Sequence, residues 1–245
     1  VSRPERILPP YPRIQHFPYN PNKTDDDPVA PKSEADKIFT AKYVYTEEKI
    51  DGSQCAMCLY EDNPIIRGRT HFLNKGNIKE GAASKQFGFV FNWFYKNKKK
   101  FEELNDSVGG PIGVYGEWMV ATHGQEYDKL PDWFIPYELY DYTKKQFLDP
   151  TRSHYLLSRT GFDPVRPRRF DNIASTTDNL AKLALFVETS KSEYCDNLKE
   201  GIVIKISNDG YITDRFKMVR SDFVQGALWD DKKLVKNKLR KMGWW

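Results

Sequence analysis

Cysteine is scarce in this chain: Cys55, Cys58 and Cys195 are the only three among 245 residues. They cannot all pair with one another, which excludes a disulfide framework and points to a reducing compartment. No apolar run approaches the roughly 20 residues that a membrane helix needs, and no signal-peptide pattern opens the chain. The expectation is a soluble protein of the cytoplasm, the host cytoplasm if viral, with no membrane partner. Two phosphate-cradling loops are also missing, because there is neither a GxxxxGK[ST] segment nor a GxGxxG after a strand. A nucleotide bound here must be held by other chemistry. There is no internal repeat.

Cys55 and Cys58 have CxxC spacing, but "SQCAMCLY" reads as a strand interior with no second CxxC, and strand alternation sends the two side chains to opposite faces. The core reading is preferred to a metal or redox site.

What is present is globular composition: 39% hydrophobic, 29% charged and 14% aromatic residues, enough for one large domain or one domain with a small appendage. Lys and Arg number 38 against 34 Asp and Glu, for a net charge of +4. Basic clusters lie at Lys96–Lys100, Arg166–Arg169 and Lys232–Lys241. Each is compatible with a polyanionic partner, although a solvated face is the commoner explanation.

Residues 1–36 are rich in Pro, Asn and Asp and read as an extended arm that either lies against the body or stays mobile. Strand patterns follow in "FTAKYVYTEE", "SQCAMCLYE" and "PIIRGRT". The segment "KEGAASKQFGFVFNWFYKNKKKFEEL" carries helical spacing, as one helix or two. Strands return at "IGVYGEWMVA" and "WFIPYELYDYT". The helical "TDNLAKLALFVETS" leads to "EGIVIKIS", the turn Asn208-Asp209-Gly210 and "YITDRFKMV", which read as a hairpin. Residues 229–245 read as a short basic helix. Strands and helices without regular βαβ alternation predict an α+β fold of mainly antiparallel sheets with flanking helices, its main domain spanning 37–228.

Lys49 sits in "EEKIDGSQ", between two strand patterns. A lysine there is usually a solvent-facing charge. As a nucleophile it would have to be neutral at attack and face the α-phosphate of a nucleoside triphosphate, presented by a tight turn that Gly52 permits. "KxDG" alone recurs by chance. It is followed in order by Arg67 and Arg69 in "RGRT", Glu117 in "VYGEW", Tyr137 in "IPYELYD", Glu200 in "KEGIVIK" and Lys217 in "RFKMVR". That series resembles the motifs of the covalent lysyl-nucleotidyl transferases: ATP-dependent DNA ligases, RNA ligases and mRNA capping enzymes. With "YPRIQHFPYNP" and "RFKMVRSDFVQ", it is similar to the ATP-dependent RNA ligase family of bacteriophages and bacteria, over about residues 11–228.

The resemblance implies a nucleotidyltransferase (ligase adenylation) domain. Lys49 would form a lysyl-AMP on a loop shaped by Asp51 and Gly52, Lys217 and Arg69 would share the catalytic work on phosphate, and Mg²⁺ or Mn²⁺ would act at Glu200. Glu48, Ile50, Asp51, Arg69, Glu117, Tyr137, Glu200, Arg215 and Lys217 join Lys49 in the implied ATP site, with Glu117 on the ribose and Tyr137 stacked on adenine where the family more often has Phe. The implied partner is RNA with 5′-phosphate and 3′-hydroxyl ends, and the expected state is a monomer. Many relatives have a second lysine where Val219 stands, so Arg215 or Arg220 substitutes or a phosphate contact is missing. His123, in "ATHGQEYDKLP", matches a histidine of the resembling phage proteins and is expected to be structural. About 28 residues follow Lys217, too few for a five-stranded OB-fold barrel. That favours an RNA ligase over a nick-sealing DNA ligase, while the intact Lys49, Glu117, Glu200 and Lys217 argue against a third reading, a non-catalytic nucleic-acid-binding module of the same fold.

Overall fold

The computed structural model describes residues 4–20, 28–74, 76–78, 85–170, 177–229 and 233–241. In chain order these form α1 (Pro4–Ile7), β1 (Gln15–His16), α2 (Lys32–Ala35), a 3-10 turn (Asp36–Phe39), β2 (Tyr43–Lys49), β3 (Ser53–Tyr60) and β4 (Asn63–Gly68). There follow α3 (Val90–Lys96), α4 (Lys98–Val108), β5 (Gly113–Trp118), β6 (Phe134–Asp141), β7 (Gln146–Phe147) and α5 (Pro150–Arg159). The remainder is β8 (Arg168–Phe170), α6 (Thr177–Thr189), β9 (Gly201–Asn208) and β10 (Tyr211–Val219).

The strands make two five-stranded sheets, ordered β1-β10-β9-β2-β8 and β4-β3-β5-β6-β7. Every pairing is antiparallel except β1 with β10. The fold is therefore α+β with mainly antiparallel sheets, as the sequence pattern predicts. β9 and β10 form the expected hairpin, in which Asp209 (φ 49°) and Gly210 (φ 84°) supply the positive φ of a two-residue turn.

Period-two alternation decides what each face of the first sheet does. Val44, Ile202, Ile204, Ile206, Phe216 and Met218 bury one face against Leu183 and Val187 of α6 and Phe17 of the arm. Each such large side chain contributes about 1.5–3 kcal/mol by leaving water. The opposite face carries Glu47, Lys49, Val203, Lys205, Arg215 and Lys217, an unusual concentration of charge for a half-buried sheet.

In the second sheet, β3 is buried on both sides. Cys55 and Met57 pack on Trp93, Phe94, Phe101 and Leu104 of α3 and α4, while Ala56 and Cys58 pack on Ile7, Leu8 and Tyr115. The two cysteines thus lie on opposite faces and are free thiols. The long helical pattern resolves into two helices meeting at Asn97, whose Nδ2 donates to the Trp93 carbonyl.

The arm lies against the body, the first of its two expected arrangements: it contributes the short elements α1, β1 and α2, and Ile7, Leu8 and Phe17 are fully buried. The expectation for the other terminus changes. At the other end, the described part of the expected basic helix, 233–241, is extended. It runs along the loop between β5 and β6, where the Thr122 N–H donates to the Val235 carbonyl and the amides of Asn237, Lys238 and Arg240 donate to the carbonyls of Val120, Tyr127 and Leu130. With its backbone bonds met by the loop, the helical propensity of a lysine-rich segment is overridden. The rest of that expected helix, 230–232 and 242–245, lies outside the described residues. No helix among the described residues is long and apolar enough to cross a membrane.

Candidate active site

Lys49 is the last residue of β2, and after three intervening residues the chain enters β3, so the lysine stands where the chain passes from one sheet to the other. It pairs in register with Gly201. A Cβ on Gly201 would collide with the Met218 carbonyl oxygen, so glycine alone allows β10 to close in behind the lysine. The Lys49 Nζ lies 2.5 Å from Glu200 Oε1. Burial works to lower the lysine's pKa, and Glu200, Asp51 and Glu117 outweigh it, so the net shift is upward.

The turn after Lys49 is braced by the β5–β6 loop. Asp51 Oδ2 accepts from the Gly124 N–H (2.5 Å), and the Asp51 N–H donates to the Tyr127 hydroxyl oxygen (2.9 Å).

Between the sheets lies a cavity of about 390 Å³. Tyr137 on β6 and Val203 on β9 give it apolar walls, and Tyr11, Arg13 and His16 bring the arm to its edge. Lys49, Ile50, Arg69, Glu117, Tyr137, Glu200 and Lys217, scattered over most of the sequence, all border it. Glu117 pairs with Gln54 across β5 and β3. Burial pushes the Glu117 carboxyl up to about 8 and the Glu200 carboxyl up to about 7. Among the described residues, Glu117 Oε2, Glu200 Oε2 and both amide atoms of Gln54 are buried without a hydrogen-bond partner. No group of three or more His, Cys, Asp or Glu residues is arranged to hold a metal among the described residues.

Other expected site residues point elsewhere. Glu48 borders the cavity, but alternation turns its carboxylate to the far face of β2, where it accepts from the Ser192 hydroxyl (2.5 Å) and the Glu193 N–H (2.9 Å). Asp51 shapes the turn, the part that the resemblance implies for it, and does not border this cavity. Arg215 does not border the cavity either: its Nη2 lies 2.6 Å from Glu138 Oε2. Arg220 Nε lies 2.8 Å from Asp222 Oδ1, and Arg220 does not border the cavity, whereas Val219, where many relatives have a lysine, does. Arg67 is 4% exposed and donates to the Leu8 carbonyl (2.8 Å) with its guanidinium over Phe72.

Sequence reasoning passes over Glu47 and Lys205. Lys205 is 1% exposed, pairs with Glu47 and with Glu138 Oε1 (2.8 Å), and holds its Nζ 5.4 Å from the Tyr137 ring centroid. With Arg215 and the Tyr11 hydroxyl, which donates to Glu138 Oε1 (2.8 Å), these groups form a buried charged floor beneath the cavity. Burial works to raise Glu138, but Arg215 and Lys205 outweigh it and hold the carboxyl down at about 2. Burial pushes Glu47 up to about 7, and among the described residues its Oε1 is buried without a hydrogen-bond partner. Two signals point to the pair: Glu47 stands two residues before Lys49 on the same strand face, and Lys205 is a lone charge inside the apolar "GIVIKI".

A second cleft, of about 580 Å³, shares Lys49, Ile50, Gln54, Arg69, Thr70, Glu117 and Gln225 with the first. His123 lines it, stacked on Trp229 with centroids 4.8 Å apart and planes at 23°. The His123 Nε2 lies 3.3 Å from Ser53 Oγ, and burial lowers its pKa.

Several residues of the basic clusters are paired with carboxylates. Lys98 pairs with Asp62 and Glu102, Lys99 with Glu103, Lys100 with Asp132, Arg166 and Arg168 with Glu193, Lys238 with Glu126, and Arg240 with Asp163.

Residues 42–219 match the family model described as RNA ligase. No curated protein matches the chain significantly. Among solved structures, the chain is similar to a Naegleria gruberi RNA ligase with PPi, at a TM-score of 0.55 and 19% identity over 75% of this chain and 52% of that one. It is also similar to a variant of that ligase with ATP and Mn, at a TM-score of 0.57 and 17% identity over 87% and 58% of the two chains. A further variant, with AMP and Mn, gives 0.55 and 18% over 75% and 51%. The chain thus spans about half the length of the solved structures it matches. At these identities the likeness is one of fold.

Proposed function

The chain belongs to the RNA ligase family, and we propose that it is an ATP-dependent ligase that joins RNA 5′-phosphate to 3′-hydroxyl ends through an adenylate on Lys49. The neutral Lys49 amine attacks the α-phosphorus of ATP; an N–P bond forms and the bond to pyrophosphate breaks. An oxygen of the RNA 5′-phosphate then attacks that phosphorus and releases Lys49. Finally the 3′-hydroxyl attacks the RNA phosphorus and AMP leaves.

The observation that carries this reading is the placement of Lys49, 2.5 Å from Glu200, at a cavity shared with Arg69, Glu117, Tyr137 and Lys217. Lys49 must shed a proton before attack, and Glu200 Oε1 is the adjacent acceptor. Arg69 and Lys217 are placed to offset charge on the transferring phosphate. Glu117 faces the ribose hydroxyls, and the base lies between Tyr137 and Val203. The buried, unpartnered Glu47 Oε1 suits the exocyclic amine of adenine and disfavours the carbonyl that guanine presents there.

Glu117 and Glu200 each present one buried, unpartnered carboxylate oxygen, which fits the one or two carboxylates that Mg²⁺ takes while keeping its waters. Such an ion, Mg²⁺ or the Mn of the Naegleria structures, would neutralise phosphate charge when bound.

ATP labelled at the α-phosphate is expected to leave its label on the protein as a bond stable in alkali and cleaved by acid, the behaviour of a P–N linkage. Lys49→Ala is expected to remain unlabelled. Failure of the wild-type protein to take label with either Mg²⁺ or Mn²⁺ would sink the proposal. A panel of matched RNA and DNA strands with 5′-phosphates then separates RNA joining from DNA nick sealing.

A further inference from the structure

The nucleotide cavity and the second cleft meet along Lys49, Gln54, Arg69 and Glu117. An adenylylated RNA end has a matching shape: two nucleosides joined 5′ to 5′ through two phosphates. With AMP in the first cavity, the bridging phosphates fall at Lys49 and Arg69, and the next nucleoside continues into the second cleft. Resting on the ligase reading above, we propose that the second cleft holds the 5′-terminal nucleotide of the adenylylated RNA, its base stacked on the His123–Trp229 pair.

Three features of the cleft support this occupant. Its volume, about 580 Å³, falls within the ~300–1,000 Å³ of small-ligand pockets. Its aromatic wall is held in place: the Leu228 N–H donates to the His123 carbonyl (2.7 Å), and the His123 ring stands 3.3 Å from Ser53 Oγ, whose hydroxyl donates to Gln86 Oε1 (2.8 Å). A base stacks on such a wall whatever its identity. The Gln54 amide, buried and unpartnered among the described residues, lies at the junction and offers a donor to phosphate and an acceptor to a ribose hydroxyl.

The test separates the steps. Trp229→Ala and Trp229→Phe are compared with wild type in labelling by ATP and, without ATP, in sealing a pre-adenylylated RNA oligonucleotide to an RNA 3′-hydroxyl. For Trp229→Ala, labelling is expected to stay within about twofold of wild type while the KM for pre-adenylylated RNA rises about tenfold. Trp229→Phe keeps an aromatic face and is expected to recover most of that loss. An unchanged KM in Trp229→Ala overturns the assignment. Labelling and sealing that fall by the same factor also overturn it, because they mark a structural role. A wild-type protein that takes no label from ATP overturns the ligase reading, and the assignment with it.

Discussion

Glu117 and Glu200 are carboxyls that burial pushes up to about 8 and about 7, so the folded protein retains protons that the unfolded chain has already lost. The sign follows from linkage: between the ordinary carboxyl range and pH 8 the native state binds more protons, and stability falls as pH rises through that window. Thermal melts from about pH 5 to 8 are expected to show a declining Tm, and Glu117→Gln, which cannot ionise, is expected to flatten the decline. A third residue matters for the opposite reason. Glu138 is fully buried and shared by Lys205 and Arg215. Glu138→Ala is expected to cost about 3–5 kcal/mol in urea unfolding, because two buried cations lose their common partner. At this scale the sequence is most legible where a motif combines residue type with order, as for Lys49, Glu117, Tyr137, Glu200 and Lys217. It is least legible for Arg215, whose charge reads as phosphate-binding although Glu138, far away in sequence, claims it.

Among the elements, the segment 233–241 and the β5–β6 loop act as one unit. Asn237 is 2% exposed; its Nδ2 donates to the carbonyls of Met119 and Ala121, and its Oδ1 accepts from the Thr122 hydroxyl and the Tyr127 N–H. That loop in turn grips Asp51 through Gly124 and Tyr127. Asn237→Ala is expected to cost about 2–3 kcal/mol in denaturant unfolding, from the buried groups it leaves unpaired. It is also expected to lower kcat for self-adenylation more than it raises the KM for ATP, since the loosened turn misplaces Lys49 without altering the cavity walls. Strand periodicity alone marks β2, β3, β9 and β10. The tail misleads because lysine-rich spacing is equally good for a helix and for an extended segment whose partners lie more than a hundred residues away.

For the molecule as a whole, the cavity exists because two sheets face each other across a three-residue crossing. The cavity takes its lining from both sheets, with Val203, Glu200 and Lys217 on one side and Tyr137 and Glu117 on the other, so a nucleotide bound as proposed would bridge them. AMP at about 100 times its Kd is expected to add about 2.7 kcal/mol of stability. For a chain of this size that is a rise in Tm of about 5–10 °C, read by scanning calorimetry. GMP at the same concentration is expected to give a smaller rise, because in the proposed pose its carbonyl would meet the Glu47 carboxylate.

By itself the sequence determined the α+β class, the core role of Cys55 and Cys58, the β9–β10 hairpin and the order of residues suited to nucleotide chemistry. All of these are local: they depend on period-two alternation, turn residues and residue identity. The tertiary structure alone decided which charges reach the cavity. Lys205 and Glu47 enter it, Arg215 and the Glu48 carboxylate leave it, and a second cleft opens beside Lys49. Those outcomes depend on which buried partner neutralises which ion, and burial is a property of two facing sheets that no single strand carries.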